Sequence, residues 1–242
     1  MITNDKIQNS FKRIILFSSL NGGTGKSFIA KHFAITYAKT HKVGLIDSDI
    51  NSLGLTFQLP ISLPKIKNIV DKTEKTIPHQ IKSKTDSHGN TMVYPLDFSI
   101  TKKFKYKFMS VGPLDIGSDL LGVRGGMLSS ISRLLINEVN WGDIDYLLID
   151  TPSGLSDIEL TLLDDFPNSE ILLVSNGHIS ADKRKIEYYL NRGVNIVGLL
   201  YNNHNLIIDL EQEYITFCKD LNIDFLGKFK EEEIKNYIFS KK

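Results

Sequence analysis

Residues 18–27 have the types and spacing of a phosphate-binding loop. They read SSLNGGTGKS and lie between an apolar, β-branched run at 13–18 and a helical pattern. The glycines let the backbone bend until several N–H groups converge on one anion, and the start of the following helix adds positive potential. The lysine can reach the β- and γ-phosphates, and the last serine can ligate Mg²⁺. The residues predicted to contact a nucleotide are Asn21, Gly22, Gly23, Thr24, Gly25, Lys26, Ser27 and Phe28. The alternative is a glycine-rich turn without a ligand.

Three aspartates follow apolar runs and could complete the chemistry of such a loop. Asp150 comes directly after Leu-Leu-Ile, an arrangement that places a carboxylate beside the Mg²⁺ held by the loop serine. Asp47 and Asp49 end another apolar run, so one can contact the metal shell while the other orients a water. Gly154 follows Thr-Pro-Ser, where a flexible backbone N–H can meet the γ-phosphate. For each aspartate the alternative is helix capping or turn formation.

The elements that must position these residues alternate along the chain. Strands are predicted over 13–18, 43–47, 91–94, 105–111, 145–150, 170–175, 194–200 and near 225–227, and helices over 28–39, 125–139, 179–190 and 208–220. This alternation predicts an α/β fold, a doubly wound, mostly parallel sheet with helices on both faces. Ligands of such sheets bind at the carboxyl ends of the strands. We expect one domain over 1–242, with an irregular insertion at about 60–104.

The composition indicates a globular protein of the cytoplasm. The chain has 242 residues, 41% of them hydrophobic, and a net charge of +1. It contains no apolar run near the roughly 20 residues that span a bilayer, and its first residues lack a signal-peptide pattern. The single cysteine, Cys218, excludes an internal disulfide and favours a reducing compartment.

A lysine-rich segment offers two interpretations. Residues 65–107 contain ten Lys against four Asp or Glu. Lysines interleaved with aromatic residues could contact nucleic acid or acidic lipid. The favoured interpretation is a solvated edge strand with Phe104, Tyr106 and Phe108 on one face and lysines on the other, which protects that edge from aggregation.

Residues 19–27 resemble the deviant phosphate loop of the MinD/ParA/nitrogenase-iron-protein ATPases. The segments 44–49, 109–112, 124–127 and 139–154 are similar in order to the Mrp-type nucleotide-binding proteins, which carry iron–sulfur clusters. The resemblance implies ATP or ADP and Mg²⁺ as ligands and a homodimer. It also implies that Asp47 lies near the metal, that Asp49 positions the attacking water, and that Gly154 belongs to a switch segment. Asn202 falls where the family recognises adenine, although an asparagine in a simple turn is the alternative.

Two departures from the family pattern concern activity and cargo. Asn21 replaces the lysine that in relatives crosses the dimer interface to the partner's nucleotide. Arg124 is a candidate substitute, and the alternative for it is a surface cation at a helix start. No Cys-x-x-Cys pair follows Asn202, the six histidines lack ligand spacing, and Cys218 sits among apolar residues. We therefore expect no iron–sulfur cluster, since a four-iron cluster generally needs four ligands.

The sequence leaves three functions open. The favoured one is a Mg²⁺-dependent ATP-binding protein and slow ATPase, a dimeric switch that resembles the Mrp type but works through an unknown protein partner. The second is a MinD/ParA-like positioning ATPase that binds membrane or DNA when ATP-bound, for which the tail at 234–242 and the lysine-rich segment give thin support. The third is a nucleotide-sensing scaffold with little hydrolysis, which Asn21 suggests.

Overall fold

The architecture is taken from a computed structural model that describes residues 10–59, 83–85, 91–111, 126–203 and 209–234. The strands are β1 (Ser10–Ser18), β2 (Val43–Asp47), β3 (Ser83–Thr85), β4 (Thr91–Val93), β5 (Leu96–Ser99), β6 (Lys105–Met109), β7 (Asp143–Asp150), β8 (Glu170–Ser175), β9 (Asn195–Tyr201) and β10 (Phe225–Lys228). The helices are α1 (Lys26–Tyr37), α2 (Gly126–Asn137), α3 (Asp157–Asp165), α4 (Ile179–Asn191) and α5 (Glu211–Asp220). Short 3-10 turns cover Thr56–Gln58 and Glu231–Glu233.

Eight strands form one twisted sheet in the order β10-β9-β8-β1-β7-β2-β6-β5. All neighbours pair in parallel except β5 and β6, which are antiparallel. Strands β3 and β4 form a separate antiparallel pair. Because β2 and most of β7 and β8 are buried on both faces, their sequences are continuous apolar runs rather than alternating ones.

Two apolar cores cover the two faces of the sheet. One face packs against α1, through Ile29, Phe33 and Tyr37. The other face carries residues of α2, α3, α4 and α5, with Trp141 fully buried among them. The α/β class, the doubly wound sheet and the helices on both faces are therefore confirmed.

The structure corrects the predicted sheet edge and adds one helix. The strand at 105–109 lies one position inside the edge, because Leu96–Ser99 pairs along its outer side. The last part of the expected irregular insertion at about 60–104 therefore contains two strands, β4 and β5. Residues 60–82 and 86–90 lie outside the described residues. Helix α3 was not predicted. No helix in the described parts of the chain has the length and apolar character needed to cross a bilayer.

The register brings the predicted carboxylates to one edge of the sheet. Asp150 is the Cα partner of Phe17 on one side and of Asp47 on the other. The phosphate-binding loop continues from Ser18 at the same ends of the strands. The carboxyl ends of β1, β2 and β7 thus converge on one place, as the parallel topology requires.

Candidate functional site

The phosphate-binding loop closes tightly onto the end of β9. Helix α1 begins at Lys26, and Gly25 before it has a left-handed conformation with φ of +83°. The Asn202 side-chain amide donates to the Thr24 carbonyl at 2.8 Å. A Cβ atom on Gly25 would overlap that amide nitrogen. Only glycine therefore satisfies both the backbone angle and the close contact with Asn202.

An open cleft of about 380 Å³ lies over this loop. All eight residues predicted from the sequence, Asn21 to Phe28, line it. Asp49 and Ser52 enter it from the loop after β2, and Ser153 enters from the loop after β7. The eight predicted loop residues and Asp49 are thus brought together on one surface, whereas Gly154, Asp47 and Asp150 do not line the cleft.

Lys26 and Asp150 form a buried ion pair at the base of the cleft. The ammonium lies 2.7 Å from Asp150 Oδ1 and also donates to the Thr151 carbonyl. Burial raises the pKa of Asp150, while the Lys26 ammonium and the Ser27 hydroxyl oppose that rise. The other oxygen, Asp150 Oδ2, is buried and accepts no hydrogen bond from the described residues. A carboxylate oxygen without a partner, close to a serine hydroxyl, fits the oxygen ligands that Mg²⁺ prefers.

The Asp47 carboxylate accepts hydrogen bonds from the loop that follows β2. Its Oδ2 accepts from Thr56 N at 2.8 Å and from Thr56 Oγ1 at 2.6 Å, and its Oδ1 accepts from Asp49 N at 3.2 Å. Burial, and then the nearby Asp150 charge, raise the pKa of Asp47. This carboxylate is fully buried, whereas Asp49 reaches the cleft. The metal role of Asp47 and the water-orienting role of Asp49 stay predictions.

Gly154 is held against the phosphate loop by a buried lysine. The Gly154 N–H donates to the Ser19 carbonyl at 2.9 Å, and Gly154 has φ of +82°. Lys185 of α4, only 1% exposed, donates to the same Ser19 carbonyl at 3.0 Å and to the Gly154 carbonyl at 2.7 Å. Its counter-charge is Glu159 of α3, 3.2 Å away. Burial lowers the pKa of Lys185, and Glu159 opposes that shift.

Lys185 and Glu159 were missed in the sequence. A signal for each was present. Lys185 follows Asp182 and precedes Tyr189 on the inward face of α4, where charged residues are rare. Ser156 and Glu159 have the spacing of a capping box, and the Ser156 hydroxyl accepts from Glu159 N at 3.1 Å.

A second cleft of about 530 Å³ continues from the phosphate side. Gly25 and Phe28 line both clefts, and Asn202 and Phe229 line the second. The Phe28 and Phe229 rings meet edge to face, with centroids 6.1 Å apart. An apolar slot beside an amide side chain suits an aromatic base, so Asn202 lies where the resemblance implies an adenine contact. That role stays a prediction.

Other predicted features are partly outside the described residues. Arg124, the tail beyond residue 234 and residues 204–208 are among those not described. Cys218 is buried, as predicted, and burial followed by the Asp182 charge raises its pKa to about 12. Among the described residues, no group of three or more His, Cys, Asp or Glu side chains is arranged to hold a metal ion.

Comparison with known sequences gives consistent matches. A profile of the family described as ParA, NUBPL iron-transfer P-loop NTPase, matches residues 10–230. An iron-sulfur cluster carrier protein from Synechocystis sp. is 29% identical over 230 residues, covering 89% of this chain and 59% of that protein. The cytosolic Fe-S cluster assembly factor CFD1 from Kluyveromyces lactis is 31% identical over 205 residues, covering 81% of this chain and 65% of that protein. This chain thus spans less than two thirds of either relative.

Solved structures share the fold at lower identity. A nucleotide-binding protein from Archaeoglobus fulgidus in complex with ADP gives a TM-score of 0.60 at 21% identity, covering 94% of this chain and 85% of that chain. The septum site-determining protein MinD from Pyrococcus horikoshii, complexed with Mg-ADP, gives 0.57 at 18% identity, covering 96% and 87%. These likenesses establish the architecture.

Proposed function

This chain belongs to the ParA/NUBPL iron-transfer P-loop NTPase family, and we propose that it binds Mg-ATP and hydrolyses it slowly as a dimeric conformational switch. The observation that carries the proposal is the phosphate cleft, in which eight consecutive loop residues surround one space above the Lys26–Asp150 pair. Membership in a family of P-loop NTPases supports nucleotide binding by this chain. The rate, the dimer and the switch are the parts proposed for this chain.

Lys26 changes partner in the proposed cycle. Its ammonium pairs with Asp150 in this structure and would turn to the β- and γ-phosphates of a bound nucleotide, whose charge attracts it more strongly. Asp150 then loses its cation and can join Ser27 in holding Mg²⁺. When bound, Mg²⁺ supplies positive charge to the phosphate oxygens. Asp49, which lines the cleft from the other side, is proposed to orient the attacking water.

The base is proposed to enter the second cleft. The Asn202 amide would hydrogen-bond to the polar edge of the base, and the Phe28 and Phe229 rings would pack against the base. Asn202 also donates a hydrogen bond to the Thr24 carbonyl of the phosphate-binding loop. A base bound at Asn202 would therefore lie directly beside the loop that binds the phosphates. This arrangement supports ATP over a simple phosphate anion as the ligand.

We propose a role in iron–sulfur cluster assembly without a cluster of this chain's own. The relatives named above are a cluster carrier and a cluster assembly factor, whereas the segment after Asn202 contains no cysteine pair. The name of the Kluyveromyces relative also supports a cytosolic location. Anaerobic reconstitution with iron and sulfide should leave the protein without a stable brown, oxygen-sensitive chromophore. A stoichiometric cluster would refute this part of the proposal.

Asn21 favours one competing function, a nucleotide-sensing scaffold. Relatives of the resembling group place a lysine at this position, and Asn21 supplies no charge to a neighbouring nucleotide. Cations of that general kind contribute orders of magnitude in rate to phosphoryl transfer. A scaffold would bind Mg-ATP but release almost no phosphate.

Steady-state Mg-ATP hydrolysis over a range of protein concentrations separates these functions. The blank is Lys26→Ala, which removes the ammonium from the cleft. We expect wild-type turnover above the blank, with turnover per chain rising as concentration favours a dimer. Turnover equal to the blank, together with tight ATP binding, would refute the ATPase and leave the scaffold.

A further inference from the structure

The Lys185 ammonium links two loops and one buried acid. An ammonium has three N–H donors, and three acceptors surround this one: the Ser19 carbonyl, the Gly154 carbonyl and the Glu159 carboxylate, at 3.0, 2.7 and 3.2 Å. Each donor therefore has a partner. The side chain is shielded from water, so these contacts are not exchanged for hydration.

We propose that Lys185 is a positioning residue that orients the peptide groups of the phosphate-binding loop and of the loop after β7 for anion binding. The peptide groups after Ser19 and Gly154 are trans, as are all the described ones. In a trans peptide the C=O and N–H point in opposite directions. Because Lys185 draws both carbonyls to itself, the N–H groups of Leu20 and Leu155 point away from it.

Lys185 and the cleft contact these loops at different places. The lysine is buried and does not line the cleft, whereas Ser19, Asn21 and Ser153 do. A concave site that binds anions needs its carbonyls turned away and its N–H groups turned inward. Lys185 holds one carbonyl of each loop away from the site. Losing Lys185 should therefore weaken the binding of ligands that carry phosphates and leave the binding of other ligands unchanged.

Glu159 explains why a cation can be buried at this place. Its carboxylate accepts from Ser18 Oγ at 2.6 Å and from Thr151 Oγ1 at 3.0 Å, and the Tyr189 hydroxyl also donates to it. Thr151 in turn offers its carbonyl to Lys26. The Lys185–Glu159 pair is therefore joined to the end of β1, to the end of β7 and to the lysine of the phosphate site.

The inference rests on nucleotide binding in the proposed function, and calorimetric titration tests both. The main variant is Lys185→Met with Glu159→Gln, which removes both buried charges together and so avoids an unpaired carboxylate. We expect Mg-ADP affinity to fall about tenfold or more, comparable to one net hydrogen bond lost at the phosphates. Adenosine, which carries no phosphate, should bind with affinity within about threefold of wild type.

The matched control is Lys183→Met, which removes an exposed lysine from the same helix and should leave Mg-ADP affinity unchanged. Lys185→Arg keeps the positive charge beside Glu159 but replaces the compact ammonium with a planar guanidinium whose donors lie elsewhere, so it should lower Mg-ADP affinity by more than it lowers adenosine affinity. This single variant provides a test even if the double variant fails to fold.

Distinct results would overturn the inference. Mg-ADP binding by the folded double variant within twofold of wild type would refute it. So would an equal loss of adenosine and Mg-ADP affinity in either variant, which indicates general damage, or Mg-ADP binding by Lys185→Arg within twofold of wild type. A wild-type chain that binds neither Mg-ADP nor adenosine would refute the proposed function and the inference with it.

Discussion

The contact between Gly25 and Asn202 can be tested by Gly25→Ala. The backbone at Gly25 has φ of +83°, and an added Cβ would overlap the Asn202 side-chain nitrogen. That amide donates to the Thr24 carbonyl at 2.8 Å. The substitution therefore combines a strained backbone with displacement of Asn202 and loss of its hydrogen bond.

The expected loss of unfolding free energy can be separated into two contributions. Left-handed backbone costs about 1–2 kcal/mol for a residue with a Cβ. Loss of the hydrogen bond costs about 1 kcal/mol. Gly25→Ala should therefore destabilise the unliganded protein by about 2–3 kcal/mol. Gly23→Ala is the matched control, because Gly23 has φ of +74° but no described atom lies within 4 Å of an added Cβ. It should cost only about 1–2 kcal/mol.

Urea denaturation of four proteins forms a double-mutant cycle: wild type, Gly25→Ala, Asn202→Ala and the double variant. Asn202→Ala removes the atoms that an alanine at 25 would meet, so Gly25→Ala should cost about 1–2 kcal/mol in that background. The coupling energy should be about 1 kcal/mol. Equal costs of Gly25→Ala in both backgrounds, or equal costs of Gly25→Ala and Gly23→Ala, would refute the close contact.

Three further predictions concern other parts of the molecule. Lys26→Met leaves the Asp150 charge buried without its cation and should cost about 3–5 kcal/mol in urea denaturation, most of it recovered by adding Asp150→Asn; additive losses would contradict the pairing. Ser156→Ala removes the cap of α3 and should cost about 1 kcal/mol by the same method, whereas no loss would mean that the cap is dispensable. Burial raises the pKa of Asp182, so this group favours the folded state in its protonated form and its contribution is lost as pH rises. Asp182→Asn should therefore gain melting temperature relative to wild type between pH 4 and pH 8, and a difference independent of pH would contradict the shift.

The sequence was most informative where one local pattern determines one element. The apolar runs at 43–47 and 145–150 were predicted as buried strands and are buried strands, and both end in the carboxylates that the sheet brings together. The phosphate loop was readable because glycine, lysine and serine have fixed roles at fixed spacing. Its eight residues all line one cleft, and their contact with a nucleotide stays a prediction.

Shorter signals were present but were not assigned. Helix α3 has only nine residues, four of them acidic, so its apolar face is brief. Its capping box was the readable sign. Strand β5 has four residues that alternate between buried and exposed, too few to stand out beside a proline. Short elements depend on the neighbours that cover them, and those neighbours are distant in sequence.

The partners of the charged residues could not be obtained from the sequence. The ion pair of Lys26 with Asp150, which is 124 positions away, was not predicted. The hydrogen bonds from Thr56 to Asp47 were not predicted, and the proposed place of Asp47 near a metal stays a prediction. Each such choice depends on distances and burial that exist only after the sheet has formed.

The strand order has a consequence for how the chain folds. Strand β1 carries the phosphate loop, yet its neighbours are β7 and β8, so Ile15 pairs with Leu148 and Glu170. Contacts so remote in sequence slow folding, because a long loop must close before they form. During synthesis β1 and its loop are made before β7 and β8, the two strands that flank β1. The phosphate loop is thus positioned only after β7 and β8 have joined the sheet.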